Sequence, residues 1–203
     1  MPPAIGTEYA PRSGTDIPTP DASMDAQQRL ARLLEASSDP LNPGPDELKD
    51  IVRRTFVIAV VGISRDPMKA ARRVPSYLAA KGADIIPVNP YAERILGRPA
   101  RATLEEVTEP VDLVLLFRPS REVGRFVRAA AERPEAPVIW LQEGIRDDAA
   151  AAAARDKGLT VVQDLCLYKA HRALGDTLRR AESRILDKAS GNGETEETRP
   201  RVP

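Results

Sequence analysis

The chain has 203 residues, 42% of them hydrophobic and 30% charged, with 30 Lys and Arg balanced by 30 Asp and Glu. That length suits one ordinary domain with spare residues at the ends, and zero net charge excludes a global field drawing the protein to nucleic acid or anionic lipid. One Cys and one His exclude an internal disulfide framework and a structural zinc site built from the usual ligands.

The longest apolar run, residues 56–61, falls far short of the ~20 residues a membrane helix needs, and the N-terminus carries no apolar signal segment. A cytoplasmic protein without membrane or nucleic-acid partners is expected. Three Phe, one Trp and four Tyr without basic interleaving leave little for a single-strand nucleic-acid platform.

Residues 1–23 are rich in Pro, Gly, Ser and Thr and read as a disordered tail. Residues 24–54 read as a helical extension. In its first part Met24, Leu30, Leu33 and Leu34 share a helical face, and the Pro- and Gly-rich stretch 39–45 then interrupts it. In residues 46–54, Leu48, Ile51 and Val52 keep helical spacing, with acids in the first turn and Arg53 and Arg54 in the last, as the helix dipole favours. The folded core is expected over residues 55–187.

Residues 56–61 form a continuous Val- and Ile-rich run ending at Gly62, the pattern of a strand buried on both faces in a parallel sheet. A residue without Cβ there either makes a structural turn or lets a phosphate approach peptide N–H groups at a helix N-terminus. The G-x-G-x-x-G fingerprint is absent, since Gly62 is followed by Ile63, Ser64, Arg65, Asp66 and Pro67. Because Pro is tolerated in the first turn of a helix, Pro75 places the next helix start at residues 72–74. The preceding loop carries Arg65, Lys69, Arg72 and Arg73, either a cationic surround for a phosphorylated ligand or a solvated basic face.

A second strand spans residues 83–90 and ends in Val88, Asn89 and Pro90, where an NAD site would place an acid for the ribose hydroxyls. Residues 91–101 read as a loop, and Thr103 with Glu106 as a cap for one helical turn at 104–107. The third strand, 111–117, exits through Phe117 and Arg118 to Ser120, a residue suited to cap the helix that follows. Arg118 either grips a phosphate bidentately or makes a helix-cap or surface ion pair. Strand four, 137–141, contains Trp140 and exits through Gln142 and Gly144. A helix over 147–157 leads to strand five, 159–162, and to Cys166 at the start of a helix over 167–186. Residues 188–203 read as a second disordered tail.

Five strands alternating with helices predict an α/β, Rossmann-like, doubly wound parallel sheet of five strands flanked by helices. Ligands of such sheets bind beyond the carboxyl ends of the strands, where the strand order reverses. Cys166 and His171 supply an obvious nucleophile and base, but five residues of helix turn them ~140° apart. Cys166 is either a thiol activated by the helix N-terminus and able to form a mixed disulfide with a ligand thiol, or a small buried hydrophobe. His171 reads as a helix-surface or satisfied core residue.

At these same exits the chain resembles the small bacterial CoA-binding proteins. The segments that carry the resemblance are AVVGIS from Ala59, IPVNP from Ile86, the pair Val111 and Asp112, FRPS from Phe117, WLQEGI from Trp140, and DLC from Asp164 followed by His171. The likeness spans residues 56–174 and extends more distantly to the CoA domain of the succinyl-CoA synthetase alpha subunit. It implies a cofactor, coenzyme A, or a CoA thioester, with the pyrophosphate at Gly62, Ile63 and Ser64. Adenosine is then expected near Val88, Asn89, Pro90, Phe117 and Arg118, and the pantetheine arm runs towards Trp140, Gln142, Gly144 and Cys166. The alternative is an NAD(H)-binding Rossmann protein, a redox sensor or small oxidoreductase. Leu165, where the family often has a basic residue, and Ala70 with Ala71 in the first loop depart from the pattern.

Overall fold

The computed structural model describes residues 24–175. The tails expected at 1–23 and 188–203, and the last helix beyond residue 175, lie outside the described residues. The elements in chain order are α1 (Ala26–Glu35), α2 (Pro45–Arg54), β1 (Val57–Val61), α3 (Ala70–Ala80), β2 (Asp84–Val88), β3 (Arg94–Ile95) and β4 (Arg98–Pro99). They continue with β5 (Leu113–Leu116), α4 (Ser120–Ala131), β6 (Val138–Leu141), α5 (Asp148–Asp156), β7 (Val161–Val162) and α6 (Leu167–Ala173).

Strands β2, β1, β5, β6 and β7 form one sheet in that order, all parallel, with Val61 level with Val88 on one side and Leu116 on the other. Numbered along the chain these five strands run 2-1-3-4-5, so the order reverses between β1 and β5. Successive side chains of a strand point to opposite faces. Ile58 and Val60 accordingly join a core with α1, α2, α3 and α6, while Ala59 and Val61 join one with α4 and α5. Every residue of β5 and β6 is buried, which is why these strands read as unbroken apolar runs.

Helix α1 is started by a reciprocal capping box, Asp25 Oδ1 accepting from Gln28 N–H at 2.8 Å and Gln28 Oε1 from Asp25 N–H at 3.0 Å. Helix α2 opens on Pro45 and keeps acids first and Arg53 and Arg54 last. Leu30, Leu48, Ile51 and Val52 are all buried in the sheet's core. At about 1.5–3 kcal/mol for each such side chain, these two helices are cemented to the domain.

The segment between α1 and α2 is latched to the β7 edge. Asn42 bonds the backbone of Gln163, Ser37 Oγ donates to the Gln163 carbonyl at 3.1 Å, and Ser38 binds Asp164. Beneath it, the buried Asp39 carboxylate accepts from Arg155 Nη2 at 2.8 Å and Gln163 Nε2 at 2.9 Å.

Several local expectations are corrected. Helix α3 starts at Ala70, two residues before the earliest expected position, and contains Pro75 in its interior. Pro75 has no N–H for the carbonyl of Ala71; the N–H of Ser64, in the loop after β1, donates to that carbonyl at 3.1 Å. Residues 91–101 include a two-residue antiparallel pair, β3 with β4, whose turn residues Leu96 and Gly97 both have positive φ, at 55° and 74°. Two-residue strands carry no alternation for a sequence reading to detect. Residues 104–107 make a single turn closed by Val107 N–H on the Leu104 carbonyl, and Glu106 accepts from Ala102 N–H at 2.9 Å, not from Thr103. Ser120 is the first residue of α4 and does not cap it; its Oγ accepts from Arg146 N–H at 3.1 Å.

Candidate functional site

The carboxyl ends of β1 and β5 meet at Gly62. Its φ is +82°, and a Cβ there would stand 2.7 Å from the Phe117 carbonyl oxygen and 2.9 Å from Arg118 Cδ. Both the backbone conformation and the space demand glycine. The Gly62 N–H donates to the Val88 carbonyl at 3.0 Å, so the turn is held between the exits of β2 and β5. Ile63 is fully buried and anchors the loop from below. Its carbonyl accepts from Asn89 Nδ2 at 2.7 Å, while Asn89 Oδ1 accepts from Tyr91 N–H at 2.8 Å. Asn89 is therefore a clamp between two strand exits, its amide used on both ends.

Beyond Ile63 the loop is bonded to itself. Ser64 N–H is used on Ala71, Ser64 Oγ accepts from Asp66 N–H at 3.0 Å, and Asp66 Oδ1 accepts from Met68 N–H at 2.9 Å. The Ser64 N–H is thus not a donor aimed outwards. Lys69 is the N-cap of α3 and gives it no side-chain cap; the N–H groups of Arg72 and Arg73 turn back to the Lys69 carbonyl, and the helix start carries partial positive charge. Arg65, Lys69 and Arg73 are exposed around this turn and Arg72 is half-buried.

Arg118 lies across the same junction. Its stem packs over Gly62, and its Nη2 donates to Glu122 Oε2 at 2.6 Å, one helical turn on. Its Nε is buried and has no hydrogen-bond partner. Of the two readings open for Arg118, the ion pair is present, and the orphaned Nε–H marks a donor that a further acceptor can take. The Glu122 carboxyl is held below its ordinary value chiefly by its bond to Arg118.

The exits of β6 and β7 form a second, tighter cluster. Trp140 is fully buried, its Nε1 donating to the Leu165 carbonyl at 2.7 Å. Its ring belongs to the core, supporting the rim from beneath instead of facing it. Gln142, also buried, donates from Nε2 to Cys166 Sγ at 3.0 Å and accepts at Oε1 from Leu167 N–H at 3.2 Å, so it caps α6. Gly144 N–H donates to Asp164 Oδ1 at 2.6 Å, and Asp164 itself has φ of 51°. Burial pushes the Asp164 carboxyl up, but Ser38 and the Gly144 N–H outweigh it and hold the group below its ordinary value.

Of the two readings open for Cys166, its burial fits the small buried hydrophobe. It is 8% exposed, and burial pushes its thiol above the ordinary range despite its place at the start of α6. His171 is a buried core residue, its Nδ1 bonded to Tyr77 Oη at 2.9 Å. The two side chains serve different partners.

The structure thus brings together Gly62, Ile63, Asn89, Phe117 and Arg118 at the point of strand reversal, and Gln142, Gly144 and Cys166 around Asp164. Val88 is buried under the rim and Pro90 is exposed on it. The sequence reading missed Glu122, although its i, i+4 spacing from Arg118 signals an ion pair, and Asp164 as an organiser, whose signal is visible only in three dimensions. A cleft of about 650 Å³ lined by Leu104, Val107, Pro110 and Arg133 lies at the opposite, amino-terminal edge of the sheet. Arg133 there is used on the carbonyls of Leu104, Val107 and Glu109 and on Glu135, which makes it a structural brace.

Residues 57–172, more than half of the chain and all of the rim just described, match the family described as CoA binding domain. The chain belongs to that family. An uncharacterized protein of Bacillus subtilis, YneT, is 38% identical over 130 residues, covering 64% of this chain and 96% of its own length. Among solved structures, a protein from Thermus thermophilus, cell-free ID.343, superposes with a TM-score of 0.60 at 35% identity, over 64% of this chain and 97% of its own. A hypothetical protein from Pyrococcus horikoshii OT3 gives a TM-score of 0.60 at 29% identity, over 64% of this chain and 90% of its own. The strand order of this chain reverses between β1 and β5, the kind of position at which doubly wound sheets take ligands. No helix among the described residues is long and apolar enough to cross a membrane.

Proposed function

We propose that the protein binds coenzyme A or a CoA thioester at the carboxyl rim of its sheet and holds it without chemical turnover. The observation that carries this reading is the Gly62–Arg118 junction: a turn with no room for a side chain, at the strand reversal, beside a guanidinium with an unused buried N–H. The residues present fit the group. Arg118 has spare donors for a phosphate, the uncapped start of α3 offers N–H groups to an anion, and Arg65, Lys69 and Arg73 supply the cations that a 3′-phosphate and pyrophosphate call for. CoA brings a phosphorylated adenosine and a thiol arm; the chain's own residues bind and orient it. The pantetheine arm runs towards Gln142 and Gly144.

Absence of turnover is supported by the use of the two reactive side chains elsewhere: Cys166 is bonded to Gln142 and His171 to Tyr77. A nicotinamide dinucleotide is disfavoured because Asn89 stands where a ribose-binding acid is needed and its amide is already used at both ends. Titration calorimetry of the full chain with CoA, acetyl-CoA, NAD and NADH tests the reading. Saturable heat with a CoA species and none with NAD or NADH is expected, and Arg118→Ala weakens binding most at low salt. Tighter binding of NADH, or no heat from either CoA species, overturns it.

A further inference from the structure

We infer that Glu122 is a built-in competitor for the ligand: its carboxylate occupies Arg118 until a phosphate of the bound cofactor displaces it. The inference rests on the coenzyme A reading and concerns how that site is regulated. Arg118 has five N–H donors in a planar fork, yet the pairing seen is one-sided. Nη2 meets Glu122 Oε2 at 2.6 Å, while Nε is buried without a partner. Glu122, in the first turn of α4 and four residues after Arg118, reaches one end of the fork only. A phosphate at the Gly62 turn, over which the arginine stem already lies, has oxygens to span both ends, and so satisfies the donor that Glu122 leaves orphaned. Exchange therefore replaces a single bond with two at the same guanidinium.

Glu122 is suited to this role because it stays an anion while being replaceable. Arg118 and, at 3.5 Å, Arg121 surround its carboxylate, and about a third of its side chain is open to solvent, so it returns to water when displaced. The cofactor must overcome this internal anion, which lowers its affinity and keeps Arg118 from gripping stray phosphate.

The test is calorimetric titration of CoA into the full chain as wild type, Glu122→Gln and Glu143→Gln. The second variant removes an acid of the same rim that is bonded to Lys169 and not to Arg118, so it reports the general effect of charge. Expected is a ~3–10-fold lower Kd for Glu122→Gln that shrinks as salt is raised, with Glu143→Gln within about twofold of wild type and both thermal midpoints close to it. An unchanged or higher Kd in Glu122→Gln makes Glu122 inert or a positioning residue, and an equal gain in Glu143→Gln reduces the effect to net charge; each overturns the inference while CoA binding stands. No binding by the wild type removes this inference together with the reading it rests on.

Discussion

The side chain of Asn42 bonds both backbone groups of Gln163, accepting its N–H and donating to its carbonyl at 2.8 Å each. One amide thereby does for the end of β7 what a neighbouring strand would do. With Arg155 bonded to the Val161 carbonyl, the segment before α2 closes a sheet edge that otherwise presents unpaired donors and acceptors.

Replacing Asn42 by Ala strands the Gln163 N–H and leaves its carbonyl only the bond from Ser37 Oγ. A loss of about 1–3 kcal/mol in urea unfolding is expected, with a concentration-dependent rise in light scattering as the edge opens. A midpoint equal to that of the wild type contradicts the edge role.

Acid sensitivity follows from Asp39. Burial raises its carboxyl, but the bonds from Arg155, Gln163 and the Leu41 N–H outweigh burial and leave it below the ordinary value. A depressed folded-state pKa contributes stability that is present above the unfolded value of about 4 and is lost as pH falls through the folded one. The melting temperature should therefore stay level from pH 7 to pH 5 and fall below about pH 4. Asp39→Asn leaves Arg155 without its counter-charge, costs on the order of 3 kcal/mol at pH 7, and flattens the acid limb. A variant with the same acid limb as the wild type places the sensitivity elsewhere.

Gly62→Ala meets two obstacles, a positive φ and the Phe117 carbonyl oxygen 2.7 Å from the new methyl group. A loss of at least about 2 kcal/mol is expected, with CoA binding abolished. Gly97→Ala, at φ of 74° but with open space around it, carries the conformational cost alone, about 1 kcal/mol. Equal thermal shifts for the two variants contradict the close approach of β5.

The thiol of Cys166 should be slow. Its 8% exposure and its raised pKa predict labelling by iodoacetamide at pH 8 at least ~10-fold slower in the native protein than in urea. Intact-mass spectra taken over time measure both rates. Rapid native labelling, or a CoA mixed disulfide under mild oxidant, restores the activated thiol.

The apolar runs 56–61, 111–117 and 137–141 and their following helices were legible in the sequence, because strands buried on both faces need no partner to be recognised. The strand order was not, since it depends on which edges β2 and β7 occupy. At the rim, Gly62 after an apolar run signals a turn, yet its neighbour across the sheet, Phe117, is visible only in the fold. Trp140 shows the converse: it lies within a recognisable segment but faces the core, and only its indole N–H, bonded to Leu165, touches the rim's backbone. The latch of residues 37–42 rests on side-chain amides and hydroxyls meeting partners more than a hundred residues away, which no local pattern encodes.

Pro75 acts on the first loop from a distance. With an ordinary amide at that position, the Ala71 carbonyl would gain a second suitor inside the helix, and Ser64 would hold its anchor only by competition. The imino acid removes the rival, so the Ala71 carbonyl is left to Ser64 and the turn after β1 is pinned to the start of α3.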